Sequence, residues 1–362
     1  MLTPKTEELI ASPYRHNGNR AKAAAFFENG LGSAIGQWRQ HGHRDYPTTV
    51  FYAFKQAETD ASGTASTGWE TFISGVINQG FAITATWPLR TERSVRSVAI
   101  GTNALASSVV LACVPRAIDA PLATRREFLN ELKRELPDAL RLLQSGNIAP
   151  VDLAQAAIGP GMAVFSRYAK VVEADGSPMT VRTALTLINQ ILDEVLAEQE
   201  GEFDAYTRWA VAWFEQYGVQ EGPYGVAETL SKAKNTSVQG LAEAGIVNSR
   251  SGSVRLLGRN DLPADWDPAA DPRLTAWEAT QHLIRSLDQA GESGAADLLR
   301  QLGGDYGDKA RDLAYRLFSI CERKKWAQEA LAYNSLVIAW PELVRLAGRE
   351  KSRGQSQEDL FQ

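Results

Sequence analysis

The stretch TTVFYAFKQ, residues 48–56, places the strongest constraint on how this chain can fold. Five consecutive residues, Val50 to Phe54, are apolar or aromatic, whereas a strand with one solvated face alternates apolar and polar residues. The unbroken run is typical of a strand covered on both faces within a mostly parallel sheet. Such a strand needs neighbours, and we expect the sheet to be incomplete within these residues.

A helix and two further strands follow this run. WETFISGVINQG has apolar residues three and four positions apart and ends at Gly80, which predicts a helix. Residues 81–87 and 106–114 have the composition of strands and flank a loop that carries arginines. Residues 3–40, before the run, have helical spacing. The sequence therefore predicts an α/β unit that ends in an antiparallel hairpin.

From Pro121 onward the apolar spacing is almost wholly helical, so the predicted fold class is α/β followed by mostly α. A Pro/Asp-rich connector, LPADWDPAADPRLT, separates two helical stretches near the C-terminus. The predicted division is a partial α/β domain at 1–120, a helical domain at 121–221, a winged-helix-like segment at 222–261, a C-terminal helical domain at 262–350 and a disordered tail at 351–362.

Composition excludes several classes of protein. The net charge of -5 argues against a chain that coats nucleic acid uniformly, although local basic patches remain compatible with it. Two cysteines do not make a disulfide framework, and the four histidines do not stand at zinc-ligand spacing, so we predict no metal site. No apolar run is long enough to span a membrane, and the N-terminus does not resemble an export signal. We expect a cytoplasmic protein.

The glycine cluster NGLGSAIG does not predict a cofactor loop. Gly30, Gly32 and Gly36 follow the helical segment AKAAAFFE, whereas a phosphate-binding loop follows a strand and opens a helix. We find no Ser-His-Asp order, Walker sequence, kinase loop or zinc-deaminase signature. The sequence therefore offers no catalytic or cofactor-binding residue.

Residues 225–259 predict a winged helix-turn-helix. Two short helices joined by the turn KNTS, where Asn235 or Ser237 can act as the N-cap, precede two short strands. The start of the second helix would enter the major groove, and basic residues would contact phosphates. The alternative is a small helical packing unit with solvated lysines. The candidate base-reading residues are Thr236, Ser237 and Gln239, and the candidate phosphate contacts are Lys232, Lys234, Arg250, Arg255 and Arg259.

The loop between the two predicted strands carries Arg90, Arg93 and Arg96, with Glu92 as its nearby acid. A guanidinium group suits a phosphate or carboxylate, so this loop is a second candidate for holding DNA backbone. The alternative is a solvated loop with one ion pair.

Long strings of this sequence resemble a known family. They are FYAFKQAE, TGWETFISGVINQGFAITATWPLRTE, GTNALASSVVLACVPR, GNIAPVDLAQAAIGPGMAVFSRYAKV, DGSPMTVRTALTLINQILDEVL and LTAWEATQHLI. Together they resemble the C-terminal part of the large adenine-specific DNA methylases of bacteria and archaea that begin with a domain of unknown function and carry a zinc ribbon. The resemblance implies S-adenosylmethionine-dependent methyl transfer to the exocyclic amine of adenine in DNA, on a doubly wound sheet that ends in an antiparallel hairpin.

In terms of that sheet, TTVFYAFKQ resembles the fifth strand, WETFISGVINQ the following helix, and the strands around the arginine loop the sixth and seventh. The chain departs from the family in lacking the catalytic Asp-Pro-Pro-Tyr, the glycine-rich cofactor loop and the zinc-ribbon cysteines. In the family, these elements precede the part that this chain resembles. The resemblance therefore assigns no catalytic or cofactor residue here.

Our hypothesis is that the chain is a C-terminal portion of a DNA adenine-N6 methyltransferase and is catalytically inactive by itself. A companion polypeptide would supply the first four strands, the S-adenosylmethionine site and the catalytic loop. The main alternative is a noncatalytic DNA-binding or assembly protein, and a third is an inactive gene fragment.

Overall fold

The computed structural model describes residues 8–53, 67–90 and 107–358. The fold is mixed α/β and mostly helical, with small sheets and a helical C-terminal region. Residues 144–151 and those after 192 form one compact unit, and the remaining described residues form another. None of the described helices is both long and apolar enough to cross a membrane.

The first unit contains a three-stranded sheet with two helices, followed by three helices and a two-stranded pair. A 3-10 turn at Pro13–His16 precedes it, and the helix predicted over residues 3–40 begins only at Arg20, where the Asn19 side chain accepts a hydrogen bond from the Lys22 N–H. The elements are α1 (Arg20–His41), β1 (Thr48–Ala53), α2 (Thr67–Asn78), β2 (Phe81–Arg90), β3 (Ser107–Pro115), β4 (Leu122–Thr124), α3 (Arg125–Ser145), α4 (Pro150–Ser166), β5 (Lys170–Val172) and α5 (Val181–Glu198).

The larger sheet has the strand order β1-β3-β2, and β3 is antiparallel to both of its neighbours. The predicted antiparallel hairpin of β2 and β3 is therefore present. Val110 lies opposite Phe51 on one side and Trp87 on the other. Because directly opposed residues project to the same face, these three side chains form one row across the sheet.

The prediction that β1 is covered on both faces of a mostly parallel sheet is wrong for this structure. β1 is an edge strand, it pairs antiparallel with β3, and its burial alternates along the strand. Tyr52 packs against Trp69 and Phe72 of α2, whereas Phe51 on the other face is 67% exposed. Successive side chains of a strand point to opposite faces, and α2 covers only one of them.

The two edges of this sheet differ. At β2, the Ile83 N–H donates a hydrogen bond of 2.8 Å to Ser166 Oγ, and Thr86 Oγ1 donates to the Ala156 carbonyl, so α4 lies along the outer edge. A Cβ on Gly159 would lie 2.5 Å from the Thr86 nitrogen, so only glycine permits this approach. At β1, the outer edge has no strand partner within the described residues.

The second unit contains a small sheet with short helices, followed by long helices. Its elements are α6 (Ala205–Tyr217), β6 (Gly222–Pro223), α7 (Tyr224–Ala233), α8 (Val238–Glu243), β7 (Val247–Arg250), β8 (Ser253–Leu256), α9 (Ala276–Lys324) and α10 (Ala327–Glu358). The sheet order is β6-β8-β7, antiparallel throughout. The backbone of α9 is broken at Gly291 and Gly303, which have positive φ.

Helix α10 continues to Glu358, although the sequence predicted disorder from residue 351. Residues 351–358, KSRGQSQE, include lysine, arginine, glutamine and glutamate, which have good helix propensity. The two-residue turn at Lys325 reverses the chain after α9, so α9 and α10 form a helical hairpin.

Candidate nucleic-acid interface

The segment from α6 to β8 has the element order helix, strand, helix, helix, strand, strand. The chain between α7 and α8 turns at Asn235, which has a φ of 56°, and the Thr236 N–H donates to the Ser231 carbonyl. Ser237 is the N-cap of α8, and its Oγ accepts a hydrogen bond of 2.9 Å from the Gly240 N–H. Of the two capping residues that the sequence allowed, Ser237 therefore fills the role.

Helix α8 buries one face and exposes the other. Val238, Gly240 and Leu241 are buried, and the exposed residues of the helix are Gln239, Ala242 and Glu243. Gln239 Nε2 donates to Glu243 Oε1 at 2.9 Å, and the Glu243 carboxylate is 2.7 Å from the Arg273 guanidinium. A polar, partly acidic surface thus faces solvent at this helix.

The predicted phosphate contacts divide into paired and unpaired cations. Lys232 forms an ion pair of 3.2 Å with Glu228, and Arg255 forms one of 2.7 Å with Asp261. The Arg255 pair lowers the pKa of the Asp261 carboxyl, chiefly through the side-chain hydrogen bond. Both pairs are solvent-exposed enough to be weak, so a phosphate group can compete for these cations.

Arg259 is held differently from the other cations. It forms a bidentate ion pair with Glu329 of α10 and lies over the ring of Tyr333. The Tyr333 hydroxyl also donates to Glu329, and Gln281 donates to that hydroxyl. Because this network is largely buried, Arg259 is a packing residue of the second unit and is unsuited to a phosphate contact.

Lys234 and Arg250 have no acidic partner among the residues that the structure describes. Lys234 follows the last residue of α7. Arg250 is exposed at the end of β7, where Ser251 and Gly252, both with positive φ, form the tight turn to β8. The Gly252 carbonyl accepts a hydrogen bond from the Tyr224 N–H, which fixes this turn against the start of α7.

The arginine loop lies almost entirely outside the described residues. Arg90 is the last residue of β2, in the first unit, and only its backbone is described. Arg93 and Arg96 are outside the described residues. Their candidate role therefore stays a prediction from the sequence.

A second surface, the Phe51 row, consists of Phe51, Val110 and Trp87 on one face of the first unit's sheet. Trp87 is 49% exposed, and the two aromatic side chains flank the buried Val110. Leu89, on the same face of β2, is also exposed. An exposed apolar row beside an unpaired strand edge is typical of an interaction surface.

The glycine cluster lies inside a helix and not in a loop between a strand and a helix, and Gly32 and Gly36 line a pocket together with residues of α2. Gly30, Gly32 and Gly36 lie inside α1, where Gly30 packs against Leu9 and the other two face Gln79. Over the described part of the chain, no group of three potential ligands could hold a metal ion. Burial raises the pKa of the Cys113 thiol to about 12, so this buried thiol is not a reactive nucleophile.

Sequence reasoning missed β6 and the acidic partners of the basic residues. A two-residue strand has no periodicity, and only Pro223 before a helical pattern marks its place. The pairing of Arg255 with Asp261 spans a short loop, and that of Glu243 with Arg273 spans thirty positions (273 minus 243). The sequence gives no signal for the second pairing.

Residues 204–360 match a family described as a domain of unknown function, DUF8807. The match begins at Asp204, the N-cap of α6, and includes the α6–β8 segment, the connector and both long helices. No curated protein and no solved structure matches the chain.

Proposed function

We propose that this chain is the distal portion of an S-adenosylmethionine-dependent DNA adenine-N6 methyltransferase, completed by a companion polypeptide. The supporting observation is the strand order β1-β3-β2, in which β1 and β2 run the same way and β3 runs against both. The doubly wound sheet that the resemblance implies ends in an antiparallel hairpin, and β2 and β3 are antiparallel neighbours. The resemblance assigns β1, β2 and β3 to the fifth, sixth and seventh strands of that sheet.

The unpaired edge of β1 supports the companion. In a complete sheet a fourth strand pairs with the fifth, and the face opposite α2 is covered by helices. Here the β1 edge has no strand partner among the described residues, and Phe51 and Trp87 of the Phe51 row are exposed. An edge strand with an apolar face is a template for pairing with another chain.

The α6–β8 segment supports a role in holding DNA. Its order of helix, strand, helix, helix and two strands, with β8 between β6 and β7, supports the winged helix-turn-helix that the sequence predicts. In such a domain α8 would enter the major groove, with Ser237 and Gln239 near the bases. Lys234 and Arg250, which lack an acidic partner in the described structure, would contact phosphates.

The proposal divides the catalytic and DNA-holding roles between the two polypeptides. The sequence lacks Asp-Pro-Pro-Tyr, and the glycines of the α1 cluster lie inside a helix and not in a loop between a strand and a helix. The companion would therefore hold the methyl donor and the target amine. This chain would contribute the end of the sheet and part of the DNA surface, and we expect it to be inactive alone.

Co-expression with the adjacent upstream reading frame tests this proposal. We expect a stable complex that transfers labelled methyl groups from S-adenosylmethionine to adenine in DNA, and no transfer by either polypeptide alone. A chain that remains a soluble monomer and binds no product of that frame would contradict the proposal.

The alternative is a noncatalytic DNA-binding or assembly protein. The α6–β8 segment favours it independently of the sheet, because this order of elements occurs within the second unit alone. DNA binding by the purified chain, without methyl transfer in any complex, would select this alternative.

A further inference from the structure

A cleft of about 580 Å³ lies within the first unit, and its lining includes no residue of the Phe51 row. Its walls are α2, Arg116 after β3, and the chain from the end of α4 to the start of α5. This volume falls in the range of pockets that bind small molecules. The function proposed above uses none of these residues.

One part of the cleft lining is apolar, and polar groups stand beside it. Phe165 and Met179 are among the buried side chains of the lining, and Ser74, Asn78 and Thr180 add hydroxyl and amide groups. A mainly apolar wall with a few polar groups suits an organic ligand more than a hydrated ion.

The charges around the cleft are unbalanced toward positive. The acid in the lining, Glu70, forms an ion pair with Arg182, with 2.8 Å between Glu70 Oε2 and Arg182 Nε. Arg116 and Lys170 also line the cleft, and neither has an ion-pair partner among the described residues. Burial lowers the pKa of Arg116, with no carboxylate to offset it. Among the described residues, no carboxylate therefore forms an ion pair with either of these two cations.

The carbonyl groups around Arg116 accept hydrogen bonds from only some of its guanidinium N–H groups. Its guanidinium donates to the carbonyl oxygens of Ile77, Ser166 and Tyr168 at 3.3–3.4 Å, at the C-terminal ends of α2 and α4. A cation there stabilises the carbonyl ends of both helices. These three bonds leave at least two of the five guanidinium N–H groups without an acceptor in the described structure.

We propose that this cleft binds a small organic anion, a carboxylate or phosphate monoester carried on an aromatic or aliphatic body. Arg116 and Lys170 would hold the anionic group, and the wall that includes Phe165 and Met179 would cover the body. A guanidinium fork and an ammonium group both bind such oxyanions through charge-assisted hydrogen bonds.

Calorimetric titration of the full chain tests the proposal with four probes: phenyl phosphate, benzoate, inorganic phosphate and phenol. We expect phenyl phosphate or benzoate to bind saturably. Inorganic phosphate and phenol should each bind at least about tenfold more weakly. A preference between phenyl phosphate and benzoate identifies the anionic group.

Lys170→Ala is the decisive variant because this side chain is exposed, so its loss leaves the fold intact. We expect the dissociation constant for the better probe to rise about fivefold or more. Lys22→Ala, which removes an exposed lysine of α1 outside the cleft, is the matched control and should not change it. Arg116→Lys should also weaken binding, with folding checked by circular dichroism.

Two results would overturn the proposal. One is the absence of saturable binding by phenyl phosphate and benzoate at millimolar concentrations. The other is an equal affinity of Lys170→Ala and the unaltered chain for the probe that binds. Neither result bears on methyl transfer or DNA binding, which depend on other surfaces.

Discussion

Glu278 is a buried carboxyl group whose pKa lies far above that of a solvated glutamate. It lies in the first turn of α9, is 3% exposed, and accepts a hydrogen bond from Thr275 Oγ1. Burial, with Asp271 and Asp204 nearby, raises its pKa from 4.5 to about 8. The close approach of its carboxylate to Gly245 leaves no room for a side chain at that glycine.

Glu278 should make the second unit less stable as pH rises. The folded state binds a proton that the unfolded state releases between pH 4.5 and about 8, so the free energy of unfolding falls across that window. Glu278→Gln keeps the shape without the charge. We expect it to raise the free energy of unfolding at pH 8 by a few kcal/mol and to flatten its pH dependence.

Urea denaturation between about pH 6.5 and pH 8.5 measures this effect. Burial lowers the pKa of His282 to about 4, so the opposite contribution of that imidazole falls on the acid side of the window. Glu292→Gln, at an exposed position of α9, serves as the control. Equal pH slopes for Glu278→Gln and the unaltered chain would show that this carboxyl titrates normally.

If the α6–β8 segment binds DNA as proposed, we expect the α7–α8 turn and the β7–β8 hairpin to make separable contributions. Each unpaired cation that meets a phosphate releases counterions, so its removal reduces the salt dependence of binding. We expect Lys234→Ala and Arg250→Ala each to lower the slope of log K against log salt by about one. Electrophoretic or anisotropy titrations at several salt concentrations measure this slope.

A matched variant removes a charge elsewhere in the second unit. Lys309 of α9 pairs with Asp305 at 2.7 Å, outside the α6–β8 segment, so Lys309→Ala should leave the slope unchanged. If all three variants shift the slope equally, binding follows net charge and the winged-helix assignment fails.

The sequence predicted the α7–α8–β7–β8 order because each part has a local signal. Ser237 precedes a helical pattern, and Ser251-Gly252 separates two short strands. The pairing of Arg255 with Asp261 and of Arg259 with Glu329 depends on tertiary geometry. Local patterns therefore predicted the elements of the candidate site but not which of its cations form ion pairs.

The sheet shows the same difference between local patterns, which the sequence reveals, and tertiary pairing, which it does not. The run from Val50 to Phe54 identified a strand, and Gly80 marked the end of α2. The run did not reveal that β3 pairs with β1 in the antiparallel direction, because residue composition carries little information on strand direction. The coverage of the β2 edge by α4 depends on Gly159, whose role is visible only beside Thr86.

For the whole molecule, the Phe51 row distinguishes a self-sufficient fold from one that needs a companion. Phe51 is 67% exposed, so Phe51→Glu removes little packing and should leave the isolated chain folded. If a companion covers this face, the new carboxylate becomes buried without a partner. That cost, about 3 kcal/mol or more, would weaken the complex at least about a hundredfold.

Pull-down and sedimentation of the chain with the upstream gene product measure this loss. Ile118→Glu is the control, since Ile118 is 98% exposed and lies outside the sheet. We expect Ile118→Glu to bind the companion normally and Phe51→Glu to lose both the complex and its methyl transfer. If Phe51→Glu assembles as well as the control, the companion does not cover this face, and the proposed completion of the sheet is wrong.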